Sequence, residues 1–132
     1  MSDAIVLAGH GSRSARANAA LVELARTLET ELELPVSAAF LEMAEPAIPA
    51  ALRSAHTAGA TRIVLVPYFL SAGMHVERDL AAIVREARIA LGIPVETATF
   101  LGAHPDVPRL LAELSRAALG AGAFESLGTH AP

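Results

Sequence analysis

Four short apolar runs alternate along the chain with four longer segments in which apolar residues recur every three or four positions. The runs lie at residues 4–8, 36–41, 62–70 and 95–101. Each run is continuous rather than alternating with polar residues, which is typical of parallel strands covered on both faces. The last three runs all end in the dipeptide Phe-Leu, and a polar turn follows each of them.

The segments between the runs carry apolar stripes with helical spacing. The first stripe follows i, i+3, i+4, i+7 and i+11 and consists of Leu21, Leu24, Ala25, Leu28 and Leu32. The same spacing begins again at Ile48, Leu80 and Val107. Each segment therefore predicts an amphipathic helix with one apolar face.

Glycine and proline mark the ends of these predicted helices. Gly59, Gly92 and Gly120 lie where a C-terminal cap is expected. Pro46 lies near a helix start, where its missing N–H costs no hydrogen bond. We expect a single domain over residues 1–119 and a flexible tail over residues 120–132.

The alternation of four strands with four helices predicts a flavodoxin-like, three-layer α/β/α fold. Right-handed crossovers give a four-stranded parallel sheet of order 2-1-3-4. In that order the direction of winding reverses between strands 1 and 3. Ligands of open α/β sheets bind at such a switch point, beyond the carboxyl ends of the strands. The loops after residues 8 and 70 should therefore face each other across a crevice.

Composition narrows the possible chemistry. The 132 residues contain no cysteine, and every basic residue is an arginine, which excludes thiolate chemistry, Schiff-base lysines and a Walker-type lysine. A metal ion would need His, Asp, Glu or water as ligands. A net charge of −4 and an aromatic content of 4% argue against nucleic-acid binding. Apolar runs too short for a membrane span, and no signal-peptide pattern, predict a cytoplasmic protein without a membrane partner.

Two histidines fall on the two loops that are predicted to meet. His10 follows strand 1 in LAGHGSRS, and His75 opens the helix after strand 3 in FLSAGMHVERDL. Imidazole titrates near neutral pH and is the commonest metal ligand, so the pair suits a divalent metal ion or proton transfer. Glu42, after strand 2, is a candidate third ligand or proton acceptor. The alternative interpretation is that all three are solvated polar residues of loops with no functional role.

The remaining polar residues have simpler explanations. A carboxylate such as Glu45 is favourable near the N-terminus of a helix, and a cation such as protonated His56 is favourable near the C-terminus, because of the helix dipole. His104 lies at the end of the edge strand, and His130 lies in the predicted tail.

The residues around His10 predict a tight turn into a helix. Gly9 and Gly11 let the backbone turn sharply and approach a ligand, and Ser12 and Ser14 are candidate N-caps. A dinucleotide loop is excluded because the third glycine of its pattern is missing. No arginine precedes the His-Gly pair, which makes a phosphohistidine enzyme the weaker enzymatic interpretation.

Four blocks together resemble the short CbiX-type sirohydrochlorin chelatases, a group of class II chelatases. The blocks are VLAGHGSR, FLEMAEPAI, VLVPYFLSAGMHVERDL and FLGAHPDV. The resemblance covers residues 4 to 114. Either histidine block alone would be weak evidence for the family. The combination of HGSR with a His-Val-x-x-Asp block about sixty residues later is specific to it.

The resemblance implies insertion of Co²⁺ or Fe²⁺, with Ni²⁺ as a further candidate, into sirohydrochlorin on the way to cobalamin or sirohaem. The metal is then a substrate, and no tightly bound cofactor is expected. The resemblance makes His10 and His75 the metal ligands and Glu42 a further catalytic residue, and it makes His104 structural or pocket-lining. The residues expected to contact the macrocycle and its carboxylates are Gly9, Gly11, Ser12, Arg13, Gly73, Met74 and Arg78.

The length of the chain adds an expectation about assembly. Longer members of the family hold two such α/β units in one chain, so a chain with one unit implies a homodimer with the macrocycle between two symmetric faces. Two alternatives stay open: histidine-dependent phosphoryl transfer, and a tetrapyrrole- or metal-binding module without catalysis.

Overall fold

The four apolar runs form one parallel sheet in the computed structural model, which describes residues 1–125. The strands are β1 (Asp3–Gly9), β2 (Val36–Phe40), β3 (Arg62–Pro67) and β4 (Val95–Thr97). Their order is β2-β1-β3-β4, and all three pairings are parallel. The predicted α/β fold and strand order are thus confirmed, and β1 lies at the centre of the predicted switch point.

A helix follows each strand. The helices are α1 (Ala15–Leu32), α2 (Ile48–Thr57), α3 (Met74–Leu91) and α4 (Val107–Glu125), with a one-turn 3₁₀ helix (Leu101–Ala103) before the last. The Ser14 hydroxyl caps α1 by accepting a hydrogen bond from the Ala17 amide at 3.3 Å, and Gly92 ends α3, both as predicted. No helix of the described residues is both long enough and apolar enough to cross a membrane.

The two faces of the sheet are covered unequally. α2 and α3 pack on one face, where Val6, Leu52, Ile63 and Leu65 are fully buried. α1 packs on the other face, but only over β1 and β2. On that second face, Val66 of β3 is only half-buried. The predicted cover on both faces therefore extends over only half of the sheet.

Two strands end earlier than their apolar runs predict. β3 ends at Pro67 rather than residue 70, and β4 ends at Thr97 rather than residue 101. The Phe-Leu pairs lie in the following loops instead, and the Phe69 carbonyl accepts a hydrogen bond from the Gly102 amide at 2.9 Å. Apolar character alone therefore does not predict where these strands end, because the loops that follow them are apolar as well.

The predicted helix boundaries also need correction. Pro49 rather than Pro46 lies in the first turn of α2. Gly120 does not end α4, because the helix continues to Glu125; an interior glycine costs only about 1 kcal/mol of helix stability. Residues 126–132, most of the predicted tail, lie outside the described residues.

Replacing Leu65 with alanine tests the importance of the core under α2 and α3. Leu65 is fully buried, so its truncation should lower the free energy of unfolding by about 2–5 kcal/mol. Ile89→Ala on α3 is the control, because Ile89 is 80% exposed and should change stability by less than about 0.5 kcal/mol. Urea denaturation measures both; equal losses would contradict the assigned core.

Candidate functional site

The loops after β1 and β2 continue the strand pairing beyond the sheet. The Leu41 amide donates to the Gly9 carbonyl at 2.9 Å, and the Glu42 amide donates to the His10 carbonyl at 3.0 Å. Gly11 has a φ of +99°, and a Cβ atom there would lie 1.7 Å from the Glu42 carbonyl oxygen. Only glycine therefore allows this approach, which places His10 and Glu42 side by side.

His10 and Glu42 form a hydrogen-bonded pair at the carboxyl edge of the sheet. Nε2 of His10 lies 3.0 Å from Oε1 of Glu42, and both side chains are about half exposed. An ionised carboxylate can only accept, so Nε2 is then the donor, and in the neutral tautomer that donates from Nε2 the Nδ1 atom has a lone pair. The Phe69 ring meets the His10 ring edge-on, with 6.3 Å between ring centroids. The loop after β3 thus reaches His10, as the switch point predicts.

Asn18 of α1 holds the His10 loop in place. Its Oδ1 accepts from the Ser12 amide at 3.0 Å, and its Nδ2 donates to the Ser12 carbonyl at 2.7 Å. The Ser12 hydroxyl accepts from the Ser14 amide at 3.0 Å. Ser12 therefore stabilises the loop through hydrogen bonds, and its prediction as an N-cap is wrong, because Ser14 is the N-cap of α1. Sequence reasoning missed Asn18, because a polar residue early in an exposed helix is ordinary.

Gly9 differs from its predicted role as a turn residue. It is the last residue of β1 and is buried. A Cβ atom on Gly9 would lie 2.7 Å from Cδ2 of Leu21. The missing side chain thus makes room for α1 to pack against the strand, and the turn itself falls on Gly11.

His75 lies in the first turn of α3, at the same edge of the sheet as His10. Its side chain is exposed and forms no hydrogen bond within residues 1–125. Gly73 is the N-cap and provides no side-chain cap. Arg13 and Arg78 are also exposed, and neither forms an ion pair with another described residue. These groups are open to an anionic ligand.

Large apolar side chains are exposed on the loops and at the helix starts that follow the strands at this edge. They are Met43 (58%), Tyr68 (46%), Leu70 (76%), Met74 (67%) and Leu101 (39%). Contiguous exposed apolar side chains with polar groups at their rim are typical of ligand-binding surfaces. Only Met74 was among the predicted site residues, although the repeated Phe-Leu pairs marked the positions of Leu70 and Leu101.

The other histidines make local contacts away from this pair. Nδ1 of His56 lies 3.4 Å from the Ala60 carbonyl oxygen, and Nδ1 of His104 accepts from the Asp106 amide at 3.0 Å. His130 lies outside the described residues, and Glu45 is exposed just before α2. Among residues 1–125, no three His, Asp or Glu side chains form a metal-binding group. The arrangement at His10 is therefore open, unlike a closed structural metal site.

The candidate chemistry lies beside one of several cavities in residues 1–125. A cavity of about 210 Å³ adjoins His10 and is lined also by Asn18, Tyr68 and Phe69. A larger cavity of about 700 Å³ lies at the amino ends of the strands, where its lining includes no histidine. Because ligands of parallel sheets bind at the carboxyl ends, the cavity beside His10 fits a ligand site better than the cavity at the amino ends does.

The close approach at Gly11 can be tested by Gly11→Ala. The new Cβ would strain the positive φ and meet the Glu42 carbonyl, so the free energy of unfolding should fall by at least about 2 kcal/mol. Gly120→Ala is the matched control: it has open space around it and should leave stability equal or slightly higher. Equal stability of both variants in urea denaturation would show that the two loops do not meet.

The chain is similar to known proteins in sequence and in fold. The CbiX family model matches residues 4–118. A sirohydrochlorin cobaltochelatase of Methanocaldococcus jannaschii is 42% identical over 79 residues, which are 59% of this chain and 55% of that protein. The chain spans about half the length of the curated relatives it matches.

Two solved structures share the fold. One is of a protein from Marinobacter aquaeolei that is provisionally assigned to CbiX and cobalamin biosynthesis. It is 26% identical to this chain, with a TM-score of 0.80, and the match covers 90% of this chain and 98% of the Marinobacter chain. The other, SirB from Bacillus subtilis with Fe³⁺, is 27% identical, has a TM-score of 0.74 and covers 86% of this chain and 46% of its own. With the family model matched over most of its length, the chain belongs to the CbiX family.

Proposed function

We propose that this protein inserts a divalent metal ion, Co²⁺ or Fe²⁺, into sirohydrochlorin, and that His10, Glu42 and His75 carry the reaction. The observation that supports it most is the His10–Glu42 pair, 3.0 Å apart at an open edge of the sheet. A cobaltochelatase among the relatives and an iron complex of SirB favour these two metals. Imidazole binds both ions, and Ni²⁺ as well.

Metal insertion requires two pyrrole N–H protons to leave while the ion loses its water ligands. With Nε2 of His10 bonded to Glu42, Nδ1 can bind the ion, and the carboxylate orients the ring as in carboxylate–histidine–metal arrangements. His75 offers a second nitrogen from the opposite loop. Glu42, or a neutral imidazole, accepts the protons. With few protein ligands the ion passes on to the macrocycle instead of being trapped.

The surroundings of the pair suit a flat ligand with acidic substituents. The exposed apolar side chains of Met43, Leu70 and Met74 offer contacts to the face of a macrocycle. The exposed guanidinium groups of Arg13 and Arg78 offer partners for its carboxylates. Gly11 and Gly73 have no side chain that would block the approach of the ligand to the backbone. Gly9 makes room for Leu21 of α1, and the hydrogen bonds of Ser12 to Asn18 hold the His10 loop.

We further propose that the protein works as a cytoplasmic homodimer. This chain covers only 46% of the SirB chain, as one half of a two-unit protein would. A second copy supplies the other half and places the macrocycle between two such edges. Each dimer then contains His10, Glu42 and His75 twice.

An anaerobic absorbance assay with sirohydrochlorin and Co²⁺, Fe²⁺ or Ni²⁺ tests the proposed activity. The parent protein should form many metallated macrocycles per chain. His10→Ala, His75→Ala and Glu42→Gln should each lower kcat by roughly 100-fold or more. His56→Gln is the control, because the only hydrogen bond of the His56 ring within residues 1–125 is with the Ala60 carbonyl, and its loss should leave kcat unchanged.

Two outcomes would contradict the proposal. Binding of sirohydrochlorin or metal that stops at one equivalent per site would indicate a module without catalysis. Full activity in both the His10 and His75 variants would show that metal insertion occurs elsewhere.

A further inference from the structure

Phe69 lies in the loop after β3 and is the least exposed of three large neighbouring side chains there. Tyr68 and Leu70 are 46% and 76% exposed, whereas Phe69 is half-buried and packs against the core under α2 and α3. Its ring also lies against the His10 ring, with 6.3 Å between the ring centroids and 70° between the ring planes. Inclined aromatic pairs at this separation attract each other. Phe69 therefore connects the core of the domain to the proposed metal ligand.

Hydrogen bonds on both sides of Phe69 hold its backbone. The Tyr68 amide donates to the Ala8 carbonyl at 2.8 Å, and the Phe69 carbonyl accepts from the Gly102 amide at 2.9 Å. A Cβ atom at Gly102 would lie 1.6 Å from the Leu70 carbonyl oxygen, so only glycine allows the second loop to come this close. The Phe69 ring is thus attached to a backbone that is fixed by β1 and by the 3₁₀ turn.

His10 needs such a fixed neighbour because its other contact is exposed. Nε2 of His10 lies 3.0 Å from Oε1 of Glu42, and the two side chains are 52% and 53% exposed. An exposed carboxylate keeps much of its rotamer freedom and can follow the imidazole as the ring turns. This hydrogen bond therefore determines which nitrogen is bonded to Glu42, whereas the direction of the ring depends on Phe69.

We propose that Phe69 is a positioning residue for metal insertion, which holds the His10 ring so that Nδ1 points to the metal ion. The proposal rests on the proposed function and adds a residue that acts through His10. A displacement of about 1 Å in a reacting group can cost about 100-fold in rate. A contact that fixes the direction of a ligand ring therefore contributes to kcat more than to the binding of sirohydrochlorin.

Phe100 provides the matched control. Both phenylalanines are half-buried, precede a leucine and line a cavity of about 420 Å³ between α3 and the loop after β4. Of the two, only Phe69 also lines the cavity beside His10. Leucine at either position removes the same atoms and enlarges the same cavity. A difference between the two variants therefore measures the contact with His10 and not a loss of packing.

Turnover kinetics with sirohydrochlorin and Co²⁺ form the first test. Phe69→Leu should lower kcat by roughly 10-fold, with KM for sirohydrochlorin within about a factor of two of the parent. Phe69→Tyr, which keeps the ring, and Phe100→Leu should both retain kcat within about a factor of two. Circular dichroism and light scattering check that fold and oligomeric state are unchanged. An equal loss of kcat in Phe69→Leu and Phe100→Leu, or no loss in either, would overturn the proposal.

The visible absorption spectrum of bound Co²⁺ tests the direction of the His10 ring without turnover. The d–d bands depend on the number and geometry of the ligands, and His10→Ala identifies the bands that depend on this histidine. Phe69→Leu should shift or weaken those bands, whereas Phe100→Leu should reproduce the parent spectrum. Identical spectra for the parent and Phe69→Leu would overturn the positioning role. A parent that binds Co²⁺ in this way but never metallates sirohydrochlorin would contradict the proposed function alone, and the spectra would still decide the role of Phe69.

Discussion

The site depends on the close approach of two backbone segments, at Gly11 and Glu42. Parallel pairing between β1 and β2 continues past the sheet as far as the His10 carbonyl and the Glu42 amide. The approach leaves no room for a Cβ atom at residue 11. Because β1 is central, the same register also places the loop after β3 against His10 through Phe69. The pairing of the strands thus determines which side chains meet at the carboxyl edge.

The uneven cover of the sheet is the second constraint on the fold. One face buries Ile63 and Leu65 completely under α2 and α3, while the other leaves Val66 half-buried. The apolar stripe of α4 does not cover this face, because within residues 1–125 the helix packs mainly against the 3₁₀ turn that precedes it.

The sequence predicts those features that follow from periodicity and from topology. Continuous apolar runs and helical stripes are sufficient for the strand order, and the switch point then places His10, Glu42 and His75 at one edge of the sheet. Periodicity does not show where a strand ends when Phe69 and Leu70 continue its apolar run into a loop. Nor does it show that α4 stays unpacked, because its stripe has the same spacing as the stripes of packed helices. The roles of Ser12 and Asn18 depend on three-dimensional hydrogen bonds that have no sequence signature.

The most direct test of the metal site is the proton NMR spectrum of the histidine rings during titration with Co²⁺. A paramagnetic ion broadens the resonances of nearby rings. The account predicts that the signals of His10 and His75 broaden together at the lowest metal concentrations, while the signal of His56 stays sharp. If His56 broadens as readily as His10, or if His10 stays sharp while metal binds elsewhere, the assignment of the metal to this edge of the sheet is wrong.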